Sequence, residues 1–576
     1  MIATLFVVVV VAGIAILSLR KEKSVVLSPK QNMLVVLPFE NLGLPEDEYF
    51  AAGITEEITS RLAALHGLGV ISRSSAIRYK KTDKTHKEIG EELGVDFVLE
   101  GTVRWDRSPE GKGRVRVTPQ LIRVSDDTHL WSDRYDRELK DIFAVQSDIA
   151  EQVIRQLDIT LLEPERRTLK AKPTDNLDAY QAYLRGINYV RRTYYFEEDL
   201  RLAVQMFERA VEFDPNFALA FAGLSEALST LIHYRWDLTE ENKARARAAA
   251  DRALELQPEL PEGHLALGKY YYSCHREYGK ALEELAIAEN SLPNDSQIPF
   301  IMGAVLRRQG NFEEAVSYFK RAFELSPQNA NVLGEISTIF QTLRRYSEAE
   351  YYLNRAISIA PDQTANYRMK AWNYWLQGSL EKARATLEQR PKKADPYLIE
   401  ILINQELFER DYKAALELLS SEFIEYKEGQ KALGTGFVYQ LLNEPELARS
   451  SYDSARILLE KRAREFPDNP EFHRLLGIAY AGLGRKEEAI REGKLAVEVY
   501  PVSKDALDGP RNVLYLAEIY VMVGEYDAAL DKIEYLLSIP YQYLSVPLLQ
   551  IDPIWDPLRE HPRFKRLLEE NSHDDS

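Results

Sequence analysis

The residues whose types and spacing could do chemistry lie in one predicted strand. His129, Trp131 and Asp133 alternate along it and would share one face, with Asp126, Asp127 and Asp136 close by. A histidine beside carboxylates could transfer protons or hold a metal ion. Because no nucleophile and no second set of metal ligands accompanies these residues, we expect the solvated face of an edge strand. The sequence predicts no catalytic residue, no cofactor and no metal site here.

The run Ser72-Arg73-Ser74-Ser75 is a second candidate because it follows a predicted strand. Its hydroxyls and its guanidinium could bind a small anion. Serines in such a place more often cap or turn the chain, and an arginine there more often pairs with an acidic neighbour. We expect this structural role and keep anion binding as the alternative.

The sequence lacks the motifs of the common enzyme classes. It contains no phosphate-binding loop ending in Gly-Lys-Ser/Thr, no His-Glu-x-x-His, no Gly-x-Ser-x-Gly and no kinase catalytic loop. Its one cysteine, Cys274, excludes an intrachain disulfide and a cysteine-rich metal site. We predict that the protein is not an enzyme.

Length and charge limit the remaining classes. A chain of 576 residues with 45% hydrophobic and 28% charged residues is typical of a folded protein with several domains. The 90 acidic residues outnumber the 73 basic ones and give a net charge of −17. This charge opposes binding to a phosphate backbone, and the sequence shows no basic patch that would override it. We predict no nucleic-acid partner.

The amino-terminal part alternates between strand and helix patterns. The predicted strands are residues 33–37, 69–72, 97–105, 114–122 and 128–135, and the predicted helices are residues 54–65, 88–93 and 145–157. Pro119 inside the fourth strand suggests an edge position or a bulge. This order predicts an α/β domain over residues 33–162, a small mixed sheet with helices packed on it.

Two consecutive stretches between residues 297 and 361 repeat one pattern. Ala315 and Ala349 are 34 residues apart, and each is followed at equal offsets by a bulky apolar residue, another alanine and a proline. Small residues at Gly303 and Ala315 would let two helices approach closely, Phe319 would fill the space between them, and Pro327 would end the second helix. The pattern predicts a helix-turn-helix hairpin.

The same alanine recurs along the chain at intervals of 32 to 43 residues. It stands at Ala203, Ala246, Ala281, Ala315, Ala349, Ala383, Ala415, Ala448, Ala489 and Ala529. This repeat resembles the tetratricopeptide (TPR) family. The resemblance implies an all-α superhelix of about ten hairpins with a concave groove over residues 177–545, after a linker at 163–176. We expect residues 546–570 to cap the last hairpin and residues 571–576 to be disordered.

The TPR resemblance also implies a partner site. Fixed positions of the first helix of each hairpin face the groove in such proteins, and a protein or peptide binds there. In the central hairpins these positions hold Gln297, Phe300, Arg307, Asn331, Thr338, Gln341, Arg368, Trp372 and Trp375. Two tryptophans and an arginine are the kind of side chains that dominate protein recognition. The alternative is that both tryptophans pack in the core.

Several runs in the amino-terminal part resemble another family. They are Leu37-Pro38-Phe39-Glu40-Asn41, His129-Leu130-Trp131 and residues 48–55, 70–75 and 93–101. Over residues 33–162 these runs are similar to the TolB amino-terminal-like domain, which precedes TPR arrays in bacterial multidomain regulators. Such relatives often carry a kinase, cyclase or winged-helix domain, and we find no such domain in this sequence. The resemblance therefore implies the sensing or scaffolding part alone.

Residues 2–19 form an uncharged run rich in valine and leucine that ends before Arg20 and Lys21. As a helix it would span roughly 27 Å, so we expect residues 1–20 to be a transmembrane anchor and residues 21–32 a linker. A cleaved signal peptide is the alternative, but its basic start and its small-residue cleavage site are missing. The basic flank favours a cytoplasmic soluble part, whereas a signal-anchor interpretation favours the periplasm.

Together these patterns predict a membrane-anchored TPR scaffold or sensor that binds a protein or peptide in bacterial signalling or envelope-associated regulation. The alternative function is a small-ligand-binding or regulatory subunit that acts with a separately encoded kinase or cyclase.

Overall fold

The chain folds into a small mixed sheet with helices, followed by a long array of helical hairpins. The computed structural model describes residues 32–106, 114–138, 141–191, 196–392, 396–420 and 429–571. The predicted architecture, a mixed sheet at the amino-terminal end and a mostly helical solenoid after it, is confirmed.

The sheet contains seven strands: β1 (Asn32–Val36), β2 (Glu40–Asn41), β3 (Leu68–Ile71), β4 (Phe97–Asp106), β5 (Arg114–Arg123), β6 (Thr128–Ser132) and β7 (Tyr135–Glu138). Their order is β3-β1-β4-β5-β6, with β2 beside β4 and β7 beside β5. Strands β3, β1 and β4 are parallel, whereas β5 runs antiparallel to β4, β6 and β7. The parallel half needs crossover helices, and the antiparallel half needs only turns.

Pro119 lies in β5, which is a central strand and not an edge. It pairs with Gly101 of β4 on one side. On its other side, β7 pairs with β5 up to Val117 and β6 begins to pair at Gln120. The proline, which has no N–H to donate, therefore stands in the gap between two partner strands.

Five helices accompany the sheet: α1 (Glu48–Ala63), α2 (Arg73–Ala76), α3 (His86–Leu93), α4 (Ile142–Gln156) and α5 (Glu163–Lys170). Helices α1 and α4 pack with Leu34 and Leu99 on one face. Ile89 of α3 packs with Val35 on the other face. The segment 163–176 was predicted as a linker, but it begins with helix α5. The buried Arg61 of α1 holds this segment by donating to the carbonyl oxygens of Leu169 and Ala171.

Ten helical hairpins follow within the described residues. In order, they are Leu177–Val190 with Glu197–Phe213, Ala218–His233 with Glu240–Leu256, Pro261–Tyr270 (extended by a π-helical turn, Tyr271–His275) with Tyr278–Ser291, Gln297–Arg308 with Phe312–Leu325, Ala330–Thr342 with Tyr346–Ile359, Thr364–Trp375 with Leu380–Glu388, Pro396–Phe408 with Tyr412–Ser420, Gln430–Leu441 with Pro445–Glu465, Pro470–Gly482 with Lys486–Val499, and Gly509–Met522 with Tyr526–Ser538. We number them hairpins 1 to 10.

The hairpins pack through the small residues that define the repeat. All ten alanines of the register are buried. At Gly303 an added Cβ would lie 3.2 Å from the Ala315 carbonyl oxygen and from the Phe319 ring, so the two helices of hairpin 4 approach too closely for a larger residue. First helices of successive hairpins contact each other more than second helices do, which curves the array with the first helices on its inner face.

The α/β domain and the first hairpins share one core. Phe50 of α1 belongs to the same buried cluster as Leu184 and Phe207 of hairpin 1 and Leu228 of hairpin 2. At Gly53 an added Cβ would lie 2.8 Å from the Leu184 side chain, so a larger residue on α1 would require Leu184 to shift. The sheet is therefore packed onto the array and not merely tethered to it.

The carboxyl-terminal segment forms three short helices, Val546–Ile551, a 3₁₀ helix at Pro553–Leu558, and Pro562–Asn571. Its Trp555 and Phe564 are buried against Leu530 and Ile533 of hairpin 10. Apolar side chains at the end of the array are thereby removed from water, as the cap of a solenoid requires. Of the predicted disordered tail, residues 572–576 lie outside the described residues.

The prediction of a single-pass membrane protein is corrected. No helix in the described part of the chain is both long and apolar enough to cross a bilayer. This finding goes against the predicted topology, which we do not retain. The predicted anchor itself, residues 1–20, and the linker up to residue 31 lie outside the described residues.

Candidate functional site

The inner face of the array carries a row of polar ties between consecutive first helices. Gln297 of hairpin 4 accepts a hydrogen bond from Lys269 of hairpin 3 at 2.8 Å. Arg307 forms an ion pair with Glu335 of hairpin 5, and Gln341 donates to the Met369 carbonyl oxygen of hairpin 6 at 3.0 Å. Three predicted groove residues, Gln297, Arg307 and Gln341, thus hold neighbouring repeats together.

The two tryptophans also have partners inside the molecule. Trp375 is fully buried, its indole donates to Gln405 of hairpin 7 at 2.7 Å, and its ring meets Phe408 edge to face. Trp372 is half-buried and its indole donates to the Gln542 carbonyl oxygen at 2.9 Å. The structure therefore places Trp375 in the core, which was the alternative to a groove role, and Trp372 under the carboxyl-terminal segment.

The other four predicted groove residues remain at least partly accessible. Asn331 is exposed, and Phe300, Thr338 and Arg368 are half-buried. Phe300 packs edge to face on Phe319, with ring centroids 5.5 Å apart. Thr338 turns its hydroxyl back to the Gly334 carbonyl oxygen of its own helix. These side chains lie on the first helices of hairpins 4 to 6 and are the solvent-accessible part of the predicted site.

One edge of the array, formed by the turns within hairpins 2 to 7, is covered by hairpins 9 and 10 and the cap. We call it the turn edge. In hairpin 4, Arg308 contacts Asp505 and Asp508 at 2.7 Å each, and its carbonyl oxygen accepts from the Ala506 N–H. Tyr278 of hairpin 3 donates to the same Asp505 at 2.6 Å. Asp505 is fully buried, and the Arg308 guanidinium holds the pKa of Asp508 well below its usual range, against the effect of burial.

The turn edge continues to the end of the chain. Arg235 of hairpin 2 forms an ion pair with Glu471. Arg344 of hairpin 5 donates to the carbonyl oxygens of Leu536 and Ile539 at 3.3 and 3.2 Å. The Ser545 hydroxyl donates to the Leu376 carbonyl oxygen, and the Arg410 guanidinium binds both carboxylate oxygens of Asp556 at 2.7 and 2.9 Å. Successive turns of the superhelix are thus joined along their length.

The opposite edge, formed by the loops between hairpins 3 to 6, is covered by the α/β domain. We call it the loop edge. The Asn294 amide donates to the carbonyl oxygens of Ala63, Leu65 and Leu68 at 2.8 to 3.1 Å. Arg78 donates to the Ile359 carbonyl oxygen at 2.7 Å. The first half of the array is therefore held between two parts of its own chain.

The serine run lies on this loop edge. The hydroxyls of Ser72, Ser74 and Ser75 meet the Ser326 hydroxyl at 2.8, 2.9 and 3.1 Å, and the Ser72 N–H donates to the Leu325 carbonyl oxygen. The run turns the chain into α2, but the Ser72 side chain does not cap that helix. The hydroxyls instead contact a serine 251 to 254 residues away, which the sequence did not predict. Arg73 lies between the serines and Glu56, with its Nε 3.7 Å from that carboxylate.

A buried charge row extends the inner-face ties to hairpin 1. Glu226 of hairpin 2 lies 3.5 Å from Arg191 and 2.5 Å from Lys269. Burial alone would raise the pKa of Glu226, but the charges of Arg191 and Lys269 lower it to about 2. This carboxylate stays ionised at every physiological pH and acts as a structural link.

The histidine and aspartates of the edge strand do not form a joint site. His129 and Asp133 are exposed, Asp127 pairs with His86 at 2.7 Å, and Asp136 pairs with two arginines. No group of three histidine, cysteine or carboxylate residues arranged to hold a metal ion occurs in the part of the chain that the structure describes. The partners on β5 and α3 could not be deduced from the strand alone.

Family models of the tetratricopeptide repeat match three stretches of the chain, residues 300–362, 367–389 and 446–504. These stretches cover hairpins 4 and 5, most of hairpin 6, and the hairpin 8–9 region.

Two of the curated relatives are bacterial proteins. The Rhizobium meliloti (strain 1021) protein named "Putative adenylate cyclase 3" is 34% identical over 241 residues, which is 42% of this chain and 40% of that protein. The chain thus spans about two fifths of that relative's length. The TPR repeat-containing protein YpiA of Bacillus subtilis is 23% identical over 54% of this chain and 82% of that protein.

Among solved structures, the TPR protein YrrB is 19% identical and covers 37% of this chain and 97% of its own, with a TM-score of 0.26. The family models and the hairpin packing agree, and the helical array of this chain contains tetratricopeptide repeats.

Proposed function

We propose that the protein is a scaffold or sensor in signalling that binds a protein or peptide segment on the inner face of hairpins 4 to 6. The observation that supports this proposal is the row Phe300, Asn331, Thr338 and Arg368, which stays at least partly accessible between two covered edges. The neighbouring first helices are already held in place by Arg307 and Gln341. A surface that is ordered before a partner arrives loses less entropy on binding.

We further propose that the amino-terminal domain is of the TolB amino-terminal-like type and that the protein acts by binding, not by catalysis. The order of strands and helices and the sequence runs quoted above support the first part. The second part is supported by the titratable groups near the predicted sites, which are engaged in ion pairs that join repeats.

A pair of matched variants tests the partner site. Thr338→Arg places a long charged side chain on the inner face of hairpin 5 and removes no core residue. Tyr351→Arg adds the same side chain on the second helix of that hairpin, where Tyr351 is 57% exposed. We expect a tagged wild-type chain and Tyr351→Arg to recover the same partner from cells, and Thr338→Arg to lose it. Recovery by Thr338→Arg, or its loss in Tyr351→Arg as well, would reject the inner face as the site.

The alternative function is a small-ligand-binding or regulatory subunit that acts with a separately encoded kinase or cyclase. The similarity to the Rhizobium protein named "Putative adenylate cyclase 3" favours this alternative. It predicts that the tagged chain recovers a nucleotide cyclase or a kinase and that adding the purified chain changes its rate. A recovered partner of any other class would favour the scaffold role.

A further inference from the structure

The α/β domain has a cleft at the position where open α/β sheets bind ligands. The connection after β1 runs through α1 on one face of the sheet, and the connection after the adjacent β3 runs through α3 on the other face. In open α/β sheets, ligands bind outside the carboxyl ends of the strands. A cleft of about 100 Å³ lies there, lined by residues that follow β1 and β3.

The cleft has a cationic side and an apolar side. Arg73 and Lys80 come from the segment after β3, and Phe39 and Ala52 supply apolar surface from the segment after β1 and from α1. A single water needs roughly 10–15 Å³ of such space, so the cleft has room for a molecule of several heavy atoms. Asn188 of hairpin 1 completes the lining, so the cleft lies between the α/β domain and the array.

Arg73 is the group best placed to hold a ligand. Its side chain is 14% exposed, and its neighbours Glu56 and Asn188 are 3.7 and 3.5 Å away. Both distances exceed the usual hydrogen-bond length, and a guanidinium has five N–H donors. Glu56 is shared with Arg191, at 3.7 Å, so one carboxylate faces two guanidinium groups. Glu56 therefore pairs only loosely with Arg73, and the Arg73 guanidinium can donate to an added anion.

We propose that this cleft binds a small organic anion whose carboxylate or phosphate pairs with Arg73 and whose apolar part lies on Phe39 and Ala52. The Glu48–Lys80 ion pair, 2.5 Å long and partly exposed, stands at the mouth of the cleft. Arg73 is flanked in sequence by the serines that bind Ser326, so the ligand would contact the loop that joins the domain to the array. The site gives a location to the ligand-binding role named above as the alternative function.

Titration calorimetry on the purified full chain tests the proposal with pyruvate, glycerol 3-phosphate, inorganic phosphate and neutral glycerol. We expect saturable binding of at least one of the three anions and none of glycerol, and the preferred anion would distinguish a carboxylate from a phosphate ligand. Arg73→Gln should weaken binding about tenfold or more, because charge-assisted hydrogen bonds are lost. Ala52→Leu, which fills the cleft and keeps the charge, should weaken it as well.

The matched control is Arg123→Gln, an exposed arginine of the same domain on β5. It should bind the anion as tightly as the wild type does. The proposal is overturned if none of the three anions binds saturably, if Arg73→Gln and Ala52→Leu both bind like the wild type, or if Arg123→Gln loses binding equally. Should Arg73→Gln fail to fold by circular dichroism, Ala52→Leu decides alone. Because no protein partner is used, a negative result leaves the partner proposal standing.

Discussion

At the scale of single residues, burial decides between two roles for Trp375. Its side chain is fully buried and its indole is bonded to Gln405. We expect Trp375→Ala to lower the free energy of unfolding by about 3–5 kcal/mol, because it leaves a cavity and an amide without its partner. Asn331→Ala replaces an exposed residue on the first helix of the neighbouring hairpin and should change the free energy of unfolding by no more than about 0.5 kcal/mol. Equal midpoints for the two variants in thermal unfolding would show that Trp375 is not a core residue.

Glu57 of α1 makes stability depend on pH. Burial raises the pKa of this carboxyl from 4.5 to about 7; the charge of Arg61 opposes this shift, and Glu262 of hairpin 3 and Glu56 add to it. Because the folded protein holds this proton more tightly than the unfolded chain, the stability due to Glu57 is lost as pH rises from about 4.5 to about 7. Glu57→Gln keeps the neutral form at every pH. We expect its thermal midpoint to exceed that of the wild type at pH 8 and to equal it below pH 4.5; a constant difference across this range would contradict the shift.

The sequence located the inner-face residues but not their partners. Helical spacing places Gln297, Arg307 and Trp375 on one face, and that much follows from a repeat of 34 residues. It does not reveal that Gln405 would receive the Trp375 indole or that Gln542 would cover Trp372, since these partners belong to another hairpin or to the segment after hairpin 10. A polar side chain at a groove position is therefore open to either role until the neighbouring first helix is known.

At the scale of elements, a residue in a hairpin turn can have a strained backbone and also bind a distant part of the chain. Arg344 has φ = +57°, a left-handed conformation that glycine adopts more easily, and it also binds the carbonyl oxygens of Leu536 and Ile539. Arg344→Gly would relieve the backbone but lose these bonds, so we expect a net loss of about 1 kcal/mol. Asn443 has φ = +59° in the turn of hairpin 8, where its N–H bonds within the turn.

Asn443→Gly is therefore the matched control, and it should be neutral or slightly stabilising. Thermal unfolding of both variants measures the difference. A midpoint for Arg344→Gly at or above that of Asn443→Gly would mean that the turn edge contributes nothing to stability.

The hairpins themselves were predictable because their signal is local. The alanine of the register recurs in every unit and is buried in each, and a proline follows it after 12 residues in six of the ten units. The two covered edges were not predictable, since Arg308 and Asp505 are 197 residues apart and neither belongs to the repeat pattern. One signal was present in retrospect: arginine occupies turn positions with positive φ in hairpins 2, 3, 5 and 7, where glycine would be expected. In hairpins 2, 5 and 7 that arginine contacts the second half of the array or the cap.

At the scale of the whole molecule, the first half of the array lies between the α/β domain on its loop edge and the second half of the array on its turn edge. Contacts in simple repeat proteins are mostly between neighbours, so such arrays open locally. Here Asn294, Arg308 and Arg410 connect distant parts of the chain. We expect hairpins 3 to 6 to exchange their amide hydrogens more slowly than hairpin 8, and similar rates throughout would argue against the two-sided enclosure.

The enclosure of the first hairpins is the central claim, and a distance measurement tests it most directly. Spin labels are placed on the exposed residues Gln309 and Lys504 in a Cys274→Ser background and their separation is measured by double electron–electron resonance. These residues adjoin the Arg308 carbonyl and Ala506 N–H, which lie 2.7 Å apart. The structure predicts a single, narrow distribution at short distance, which Arg308→Glu should broaden. A broad distribution of long label-to-label distances in the chain that keeps Arg308 would contradict the contact between hairpin 4 and the segment before hairpin 10.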